Sequence, residues 1–202
     1  MTAKIRLAIV DDAVAMLDLY APVVRATAIS FELESPSLDE FRRRVADTLA
    51  VRPWLVCEED SAILGYAYAS AYRARAAYQW CTETSVYVSP ASQGQGVGRG
   101  LYRSLLGLLA LQGYYNAYAV ITLPNPASVG LHVALGFQPV GVFHNVGYKL
   151  GQWHDVGWYV RDLQADHAAP PAPPRPPAEL MAGPTTAAAW AVAMRAGEPF
   201  LA

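Results

Sequence analysis

The chain has 202 residues, of which 53% are apolar and 16% are charged, and its formal net charge at pH 7 is -2. That size fits one medium domain, and the apolar fraction is too high for an intrinsically disordered chain. The longest apolar runs are far shorter than the ~20 residues that a membrane-spanning helix needs, and the near-zero net charge argues against nucleic-acid binding. We therefore expect a soluble globular protein that binds neither nucleic acid nor a membrane.

The periodicity of the apolar residues predicts an α/β domain that ends near Leu163. The strand that contains Glu83 is the clearest, because Glu83 and Ser85 share one face while Thr84 lies on the other. In chain order the predicted elements are a strand at 5–10, helices at 11–25 and 37–50, strands at 54–58, 62–72 and 80–89, a helix at 101–112, a strand at 118–123, a helix at 127–135, and strands at 138–144 and 153–162. This order predicts a mixed sheet with a mostly antiparallel ending.

The C-terminal tail differs in composition from this domain. Seven of the 15 prolines fall between Pro170 and Pro184, and such a run favours an extended polyproline conformation that does not build a core. We therefore predict a folded domain at 1–163 and a proline- and alanine-rich tail at 164–202. Within the tail, the sequence predicts a short helix at 185–196.

Cysteine and histidine usage predicts a reduced protein without a metal site. Cys57 and Cys81 lack C-x-x-C spacing, and residues 1–10 contain no hydrophobic stretch of a signal peptide, so we expect a cytoplasmic location. The histidines have no second ligand at metal-binding spacing, and they are His132, His144, His154 and His167.

Charges are distributed unevenly along the chain. Between Ser61 and His154 the sequence has five basic residues, and Glu83 is the only acid. One interpretation is that a buried sheet region carries few charges of either sign. The other is that this stretch receives an anionic ligand and keeps one carboxylate for chemistry.

A glycine-rich segment joins the strand at 80–89 to the next helix. Its glycines are Gly94, Gly96, Gly98 and Gly100. Glycines let the backbone approach a phosphate closely, and the free amides at a helix start favour an anion. The dinucleotide pattern G-x-G-x-x-G is absent because Arg99 stands at a third-glycine position, and a Walker loop is absent because no Gly-Lys-Ser/Thr follows.

Two motifs in this chain resemble those of the Gcn5-related N-acetyltransferase (GNAT) superfamily. The loop reads Gln93-x-x-Gly96-x-Gly98, which is similar to the pyrophosphate loop Q-x-x-G-x-G. Downstream, Asn125-Pro-Ala-Ser128 and His132-x-x-Leu135-Gly136-Phe137 resemble the segment that closes the pantetheine site, usually with tyrosine where this chain has His132. Segments such as Thr82-Glu83-Thr-Ser-Val-Tyr-Val88 extend the resemblance to phosphinothricin N-acetyltransferases over residues 5–163.

The resemblance implies the GNAT acyl-CoA N-acyltransferase fold, a mixed and mostly antiparallel central sheet flanked by helices, with splayed central strands. It also implies acetyl-CoA as co-substrate and a homodimer. The residues that it assigns to the coenzyme are Val86, Tyr87, Val88, Gln93, Gly94, Gln95, Gly96, Val97, Gly98, Asn125 and Ser128. We add Arg99, because an arginine at the start of the helix suits a phosphate.

Acetyl transfer to an amine needs a base for the amine and a proton for the departing thiolate. Glu83 is the candidate general base, because it is the only acid in its region and the resemblance places a catalytic glutamate there; a strand glutamate without this context is more often a solvated residue. His132 is the candidate general acid or a substrate contact. The alternative for His132 is a histidine that is merely packed in the core.

The acceptor site is predicted from the residues that surround Glu83 in the sequence. Arg73, Arg75 and Tyr78 would bind the acidic groups of the acceptor, unless this loop is only a solvated hairpin, and Phe31 would add an apolar wall. The predicted activity is acetyl transfer from acetyl-CoA to the α-amine of a small amino acid such as phosphinothricin. Alternatives are methionine sulfone, methionine sulfoximine or another small amine, and, in a different class, a non-catalytic coenzyme-binding sensor or interaction module.

Overall fold

The computed structural model describes residues 3–166 and 171–201. Seven strands form one sheet in the order β1-β2-β3-β4-β5-β7-β6, and every neighbouring pair is antiparallel except β4 and β5. The strands are β1 (Lys4–Leu7), β2 (Trp54–Glu59), β3 (Ala62–Ala71), β4 (Cys81–Val88), β5 (Asn116–Leu123), β6 (Gln138–Lys149) and β7 (Gln152–Asp162). The prediction of a mixed, mostly antiparallel α/β sheet is confirmed.

Six α-helices accompany the sheet in the described part of the chain. They are α1 (Ala13–Ala26), α2 (Leu38–Leu49), α3 (Val97–Gln112), α4 (Pro126–Ala134), α5 (Pro177–Ala182) and α6 (Pro184–Arg195), and a 3-10 turn follows at Glu198–Phe200. Ser37 caps α2 by accepting a hydrogen bond from the backbone of Glu40. Gly113, with φ of 94°, ends α3 in the left-handed conformation that glycine tolerates.

The two faces of the sheet carry two separate apolar cores. On one face α1 and α2 cover an aromatic cluster, in which Tyr20, Phe41 and Tyr66 are buried and Trp54 stacks on Tyr68 with ring centres 4.1 Å apart. On the other face α3 packs a leucine-rich side onto the sheet. The alternation of β4 is as predicted, since Thr82 and Thr84 are buried while Glu83 is half-buried.

Two predicted boundaries differ from the structure by four or more residues. The strand predicted at 138–144 continues to Lys149, because a register shift between Phe143 and Gly147 interrupts the alternation of side chains. Helix α3 begins at Val97, four residues before the first apolar residue of the predicted helix, because the glycines ahead of it hide the helical pattern.

The expectation that the proline-rich run adds nothing to a core is wrong. Helix α5 lies inside that run and begins at Pro177, whose fixed φ suits a first helical position. Leu180 of α5 and Trp190 of α6 are 2% and 5% exposed and belong to the core cluster under α3. Helix α6 lies where the tail helix was expected, whereas the domain boundary at residue 163 stays a prediction.

The described residues, 3–166 and 171–201, contain no helix that combines the length and apolar character needed to cross a bilayer. Over the same ranges no group of three or more potential metal ligands comes together. His167, one of the four histidines in the sequence, lies outside the described residues.

Candidate active site

The two parallel strands at the centre of the sheet separate after three residue pairs. The pairing of β4 with β5 ends at Glu83 and Tyr118, although β4 remains paired with β3 as far as Val88. Thr84 bridges the start of the split, since its hydroxyl donates to the Tyr118 carbonyl over 3.2 Å. Because alternate backbone groups of a strand point to opposite neighbours, half of those on β4 beyond Thr84 face the open cleft.

Most of the predicted pantetheine contacts line this cleft. Val86 and Tyr87 form one wall from β4, and Asn125, Ser128 and His132 contribute from the α4 side. The side-chain oxygen of Asn125 already accepts a hydrogen bond from the Ser128 amide at 3.1 Å, which caps α4. The amide nitrogen of Asn125 and the second lone pair of its side-chain oxygen therefore stay available to a ligand.

The glycines between β4 and α3 serve different neighbours. Gly94 (φ 78°) has open space where a Cβ would be, so its backbone is accessible to a ligand. Gly96 (φ 81°) instead faces the tail, because a Cβ there would lie 1.8 Å from the carbonyl oxygen of Phe200. At Gly96 the lack of a side chain is therefore required by the packing of the tail, and its backbone contact with phosphate stays a prediction.

The start of α3 packs against the cleft strand. A Cβ at Gly98 would lie 3.3 Å from Leu131 and within 4 Å of Val88 and Val86, and Val97 is buried. Small size at Gly98 thus keeps α3 close to both β4 and α4.

The remaining predicted loop residues are exposed. Gln95 donates to the Ala91 carbonyl at 2.9 Å, Gln93 is open to solvent, and the Arg99 guanidinium lies over the Phe200 ring at 4.6 Å. Exposed amides beside Gly94 and a nearby arginine suit a pyrophosphate, so the residues present fit the group that the loop motif implies.

Glu83 is half-buried at the point where the strands separate. Burial raises the pKa of its carboxyl group, and the positive charge of Arg73 opposes that rise. Within the described residues no hydrogen bond reaches the Glu83 carboxylate. A carboxylate of raised pKa with a free lone pair is suited to accept a proton near neutral pH.

His132 is buried, and both of its ring nitrogens have partners. Its Nδ1 lies 2.7 Å from the Ser128 carbonyl, which only accepts, so Nδ1 carries the proton. Its Nε2, 2.9 Å from the Tyr102 hydroxyl, is then the acceptor. Burial lowers the pKa of His132, which favours this neutral form.

The loop between β3 and β4 places Arg73 beside Glu83. The Arg73 guanidinium lies over the rings of Tyr72 and Trp158 at 5.1 and 5.8 Å. Tyr72 in turn stacks on Tyr118, the β5 partner of Glu83, with ring centres 4.4 Å apart. An exposed cation is thus held over an aromatic surface next to the candidate base.

The other predicted acceptor residues are less closely gathered. Tyr78 makes an edge contact with Tyr72 at 5.7 Å, whereas Arg75 is exposed and has no side-chain contact in the described part of the chain. Phe31 lies on the side of the β6–β7 hairpin, against Gly147 and with its ring centre 6.1 Å from that of His154. The structure therefore groups Arg73 and Tyr78 with Glu83 but does not bring Phe31 or Arg75 into contact with them.

Three residues of this region were not identified from the sequence. Tyr102 is fully buried, lines the cleft and donates to His132. Lys149 is buried and donates to the carbonyls of Val24 and Ser30 at 2.7 and 2.6 Å, which fixes the segment between α1 and α2. The buried indole nitrogen of Trp158 has no hydrogen-bond partner in the described residues. Of these three residues, only Lys149 could have been noticed in the sequence, as a lone lysine in an apolar strand.

A family model described as an acetyltransferase (GNAT) domain matches residues 5–158. The chain is 39% identical to a phosphinothricin N-acetyltransferase of Streptomyces viridochromogenes, over 86% of this chain and 92% of the relative. It is 34% identical to an L-methionine sulfoximine/L-methionine sulfone acetyltransferase of Pseudomonas aeruginosa, over 84% of this chain and 100% of the relative.

A solved structure of a GNAT superfamily phosphinothricin acetyltransferase from Sinorhizobium meliloti, in complex with AcCoA, superposes with a TM-score of 0.81. The two sequences are 34% identical, and the match covers 85% of this chain and 94% of that one. The matching sequence, the mixed sheet and the split between its central strands agree with one another. The chain belongs to the GNAT acetyltransferase family.

Proposed function

We propose that this protein transfers the acetyl group of acetyl-CoA to the α-amine of a small, acidic or sulfone-type amino acid such as phosphinothricin. The observation that carries the proposal is the half-buried Glu83 at the point where β4 and β5 separate, with Arg73 beside it. Relatives named for phosphinothricin and for methionine sulfoximine and sulfone support this class of acceptor.

In this proposal the coenzyme supplies a thioester at the cleft. The protein binds the coenzyme at its pyrophosphate and along its pantetheine arm. The backbone of Gln93 to Gly98 and the side chain of Arg99 bind the pyrophosphate. The free backbone groups of Val86 to Val88 take the pantetheine arm and the acetyl carbonyl, and Asn125 and Ser128 contact the arm from α4. Backbone donors that are already fixed by the β3–β4 pairing need no reorganisation to stabilise negative charge.

Glu83 acts as the general base for the acceptor amine. An α-amine is mostly protonated at neutral pH, so it must lose a proton before it attacks, and Glu83 accepts that proton directly or through one water molecule. Burial of Glu83 strengthens it as a base, while Arg73 keeps enough of it ionised.

In this proposal His132 has a positioning role, in place of its two predicted roles as a general acid or a substrate contact. To act as a general acid it would need a second proton, which its burial disfavours. In the neutral ring, Nε2 instead holds the Tyr102 hydroxyl, which lines the cleft. Because the single proton of the Tyr102 hydroxyl is already donated to Nε2, the thiolate takes its proton from the attacking amine nitrogen as the tetrahedral intermediate collapses.

The acceptor site selects for anionic groups. Arg73 pairs with a carboxylate or with the phosphinate or sulfoximine-like oxygen of the acceptor, and Tyr78 closes the same side. Arg75, which is exposed in the same loop, adds a second positive charge. The unpartnered indole nitrogen of Trp158, under Arg73, can donate to a second acceptor oxygen. A polycation would bring a like charge against these arginines.

We expect the protein to acetylate L-phosphinothricin, L-methionine sulfoximine or L-methionine sulfone, with kcat/KM at least about 100-fold above that for spermidine or an aminoglycoside, since like charges in contact cost several kcal/mol. The measurement is thiol release from acetyl-CoA across this set of amines. The substrate class is wrong if a polyamine or aminoglycoside ranks first.

The substitution Arg73→Gln tests whether Arg73 binds the acceptor amino acid. We expect it to raise KM for the amino acid about tenfold, since one charge-assisted pair is lost, and to leave KM for acetyl-CoA unchanged. Arg43→Gln, an exposed arginine on α2, is the matched control. Equal KM values for the two variants would remove Arg73 from the acceptor site.

We also propose that the protein forms a homodimer through β6. This strand is at the edge of the sheet, and its outward residues are apolar and exposed: Val142 (44%), Phe143 (53%), Val146 (51%) and Tyr148 (58%). An exposed, apolar edge strand is a surface on which another chain can pair. A second copy that pairs there would cover the β6 edge of each chain. Phe143 also contacts Trp158, with ring centres 5.6 Å apart, so this surface adjoins the acceptor site.

Light scattering should therefore give the mass of two chains for the wild type and of one chain for a Phe143→Ser, Tyr148→Ser double variant. A single-chain mass for the wild type would exclude this dimer.

A cytoplasmic location remains part of the proposal. Both cysteines are free thiols, as a reducing compartment would keep them.

A further inference from the structure

The end of the tail lies directly on the helix that follows the glycine-rich loop. Ser104 of α3 donates to the Met194 carbonyl at 2.6 Å and accepts from the Gly197 amide at 3.1 Å. Gly100 and Gly197 touch backbone to backbone, because a Cβ at Gly197 would lie 1.9 Å from the Gly100 carbonyl oxygen. The 3-10 turn that ends in Phe200 is thereby fixed beside the loop.

The ring of Phe200 contacts two arginines of α3. The guanidinium carbons of Arg99 and Arg103 lie 4.6 and 5.4 Å from the centre of its ring. The two arginines are four residues apart, or about 6 Å along the helix axis, so both project over the same ring. Without the aromatic face they would be long, mobile side chains on a helix surface.

A third arginine completes the group. A cleft of about 460 Å³ is lined by Arg103, Arg161, Asp162, Leu106 and Phe200. Arg161 donates to the Leu135 carbonyl at the end of α4, and burial and the charge of Arg103 both lower its pKa, which marks the two arginines as close like charges.

The described lining of this cleft carries a net positive charge, from two arginines and one aspartate. No ion pair joins Arg99, Arg103 or Arg161 to a carboxylate within residues 3–166 and 171–201, and the buried Nε of Arg103 has no hydrogen-bond partner there. Asp162 is the one acid in the lining, and its carboxylate accepts from the Asn116 side chain at 2.7 Å. Close, unpaired guanidinium groups in a cleft are an arrangement that binds a phosphate.

We propose that Arg103 and Arg161, with Phe200 as the platform that positions Arg103 and Arg99, form a subsite for a phosphomonoester, the 3'-phosphate of the coenzyme. The proposal rests on the proposed function for its ligand. The loop at 93–98 takes the pyrophosphate, and Arg103, at the near end of the cleft, lies five residues beyond Gly98, about 7.5 Å along the axis of α3, a distance that a ribose can span. The C-terminal turn is thus part of the coenzyme site.

Calorimetric titration of the full-length protein with CoA and with 3'-dephospho-CoA, in the absence of amine, tests this subsite without requiring turnover. We expect the wild type to prefer CoA by about tenfold, the value of one good charge-assisted contact, and Arg103→Gln to lose most of that preference while its Kd for dephospho-CoA changes by less than about twofold. Arg195→Gln, an exposed arginine on the same tail, is the matched control and should keep the wild-type preference.

A second pair of variants tests the platform. Phe200→Leu should reduce the preference for CoA and Phe200→Trp should restore it, because only an aromatic face holds the guanidinium groups, whereas both variants keep an apolar residue in the packing. Their thermal midpoints should be similar, which separates positioning from folding.

The proposal is overturned if Arg103→Gln keeps the wild-type ratio of the two Kd values, or if it weakens both ligands equally, which would assign the cluster to the pyrophosphate. It is also overturned if the wild type does not distinguish the two ligands. Failure of the proposed function has a different signature, namely intact coenzyme discrimination without acetylation of any amine.

Discussion

Replacing Glu83 with glutamine is expected to lower kcat for acetyl transfer by about 10²- to 10⁴-fold, the usual contribution of a general base. The amide is nearly the same shape but cannot accept the proton of the amine. Since the proposed coenzyme contacts lie farther along β4 than Glu83, the Kd for acetyl-CoA should stay unchanged. Steady-state kinetics and calorimetry give the two values.

The pH dependence follows from the direction of the pKa shift. The pKa of Glu83 is raised by burial, so the base form increases as pH rises through that raised value, and kcat/KM of the wild type should fall on the acid side accordingly. Because the ionised form is disfavoured in the folded state, ionised Glu83 costs stability above its raised pKa, and Glu83→Gln should not lower the thermal midpoint.

Asp18→Asn is the matched control for this substitution, since it removes an exposed carboxylate from α1. It should leave kcat and the pH profile as in the wild type. If Glu83→Gln retains a kcat within about threefold of the wild type at neutral pH, far short of the effect of a lost general base, Glu83 does not perform the base step.

Replacing Trp190 with alanine is expected to reduce the free energy of unfolding by about 3–5 kcal/mol, the usual cost of removing a buried aromatic side chain. Trp190 is 5% exposed and belongs to the same cluster as Leu101 and Leu105 of α3. Urea unfolding at constant pH measures the difference.

Val192→Ala provides the control, because Val192 lies on the same helix and is 68% exposed. It should change the free energy of unfolding by no more than about 0.5 kcal/mol. If Trp190→Ala costs as little as this control, the tail is not part of the folded core, and the packing of α6 on α3 makes no contribution to stability.

The central part of the fold could be predicted because local pattern and burial agree there. Alternation in β4 separates Glu83 from Thr84, and the absence of other acids between Ser61 and His154 singled out Glu83. The strand–loop–helix at Gln93 to Gly98 was visible from its glycines. These features depend on neighbours in the sequence, which is the information that a single sequence holds.

What could not be predicted depends on contacts between distant residues. His132 was predicted to be a general acid or a substrate contact, and the sequence did not show that its Nε2 accepts from Tyr102, because this pair exists only where α3 and α4 pack together. The sequence also did not show that the missing side chain of Gly96 makes room for Phe200, which is more than 100 residues away in the chain. The composition of the proline-rich run predicts an extended chain. In the structure Leu180 of that run is instead buried against α3, a contact that local composition does not show.

The most direct test of an amine acetyltransferase is thiol release from acetyl-CoA with and without L-phosphinothricin, followed by mass analysis of the amine. Many turnovers per enzyme that require the amine, saturate with it and yield one N-acetyl product for each thiol released are the expected result. Binding of acetyl-CoA with no amine-dependent thiol release, for phosphinothricin and for methionine sulfoximine and sulfone alike, would contradict the account and favour a coenzyme-binding module without catalysis.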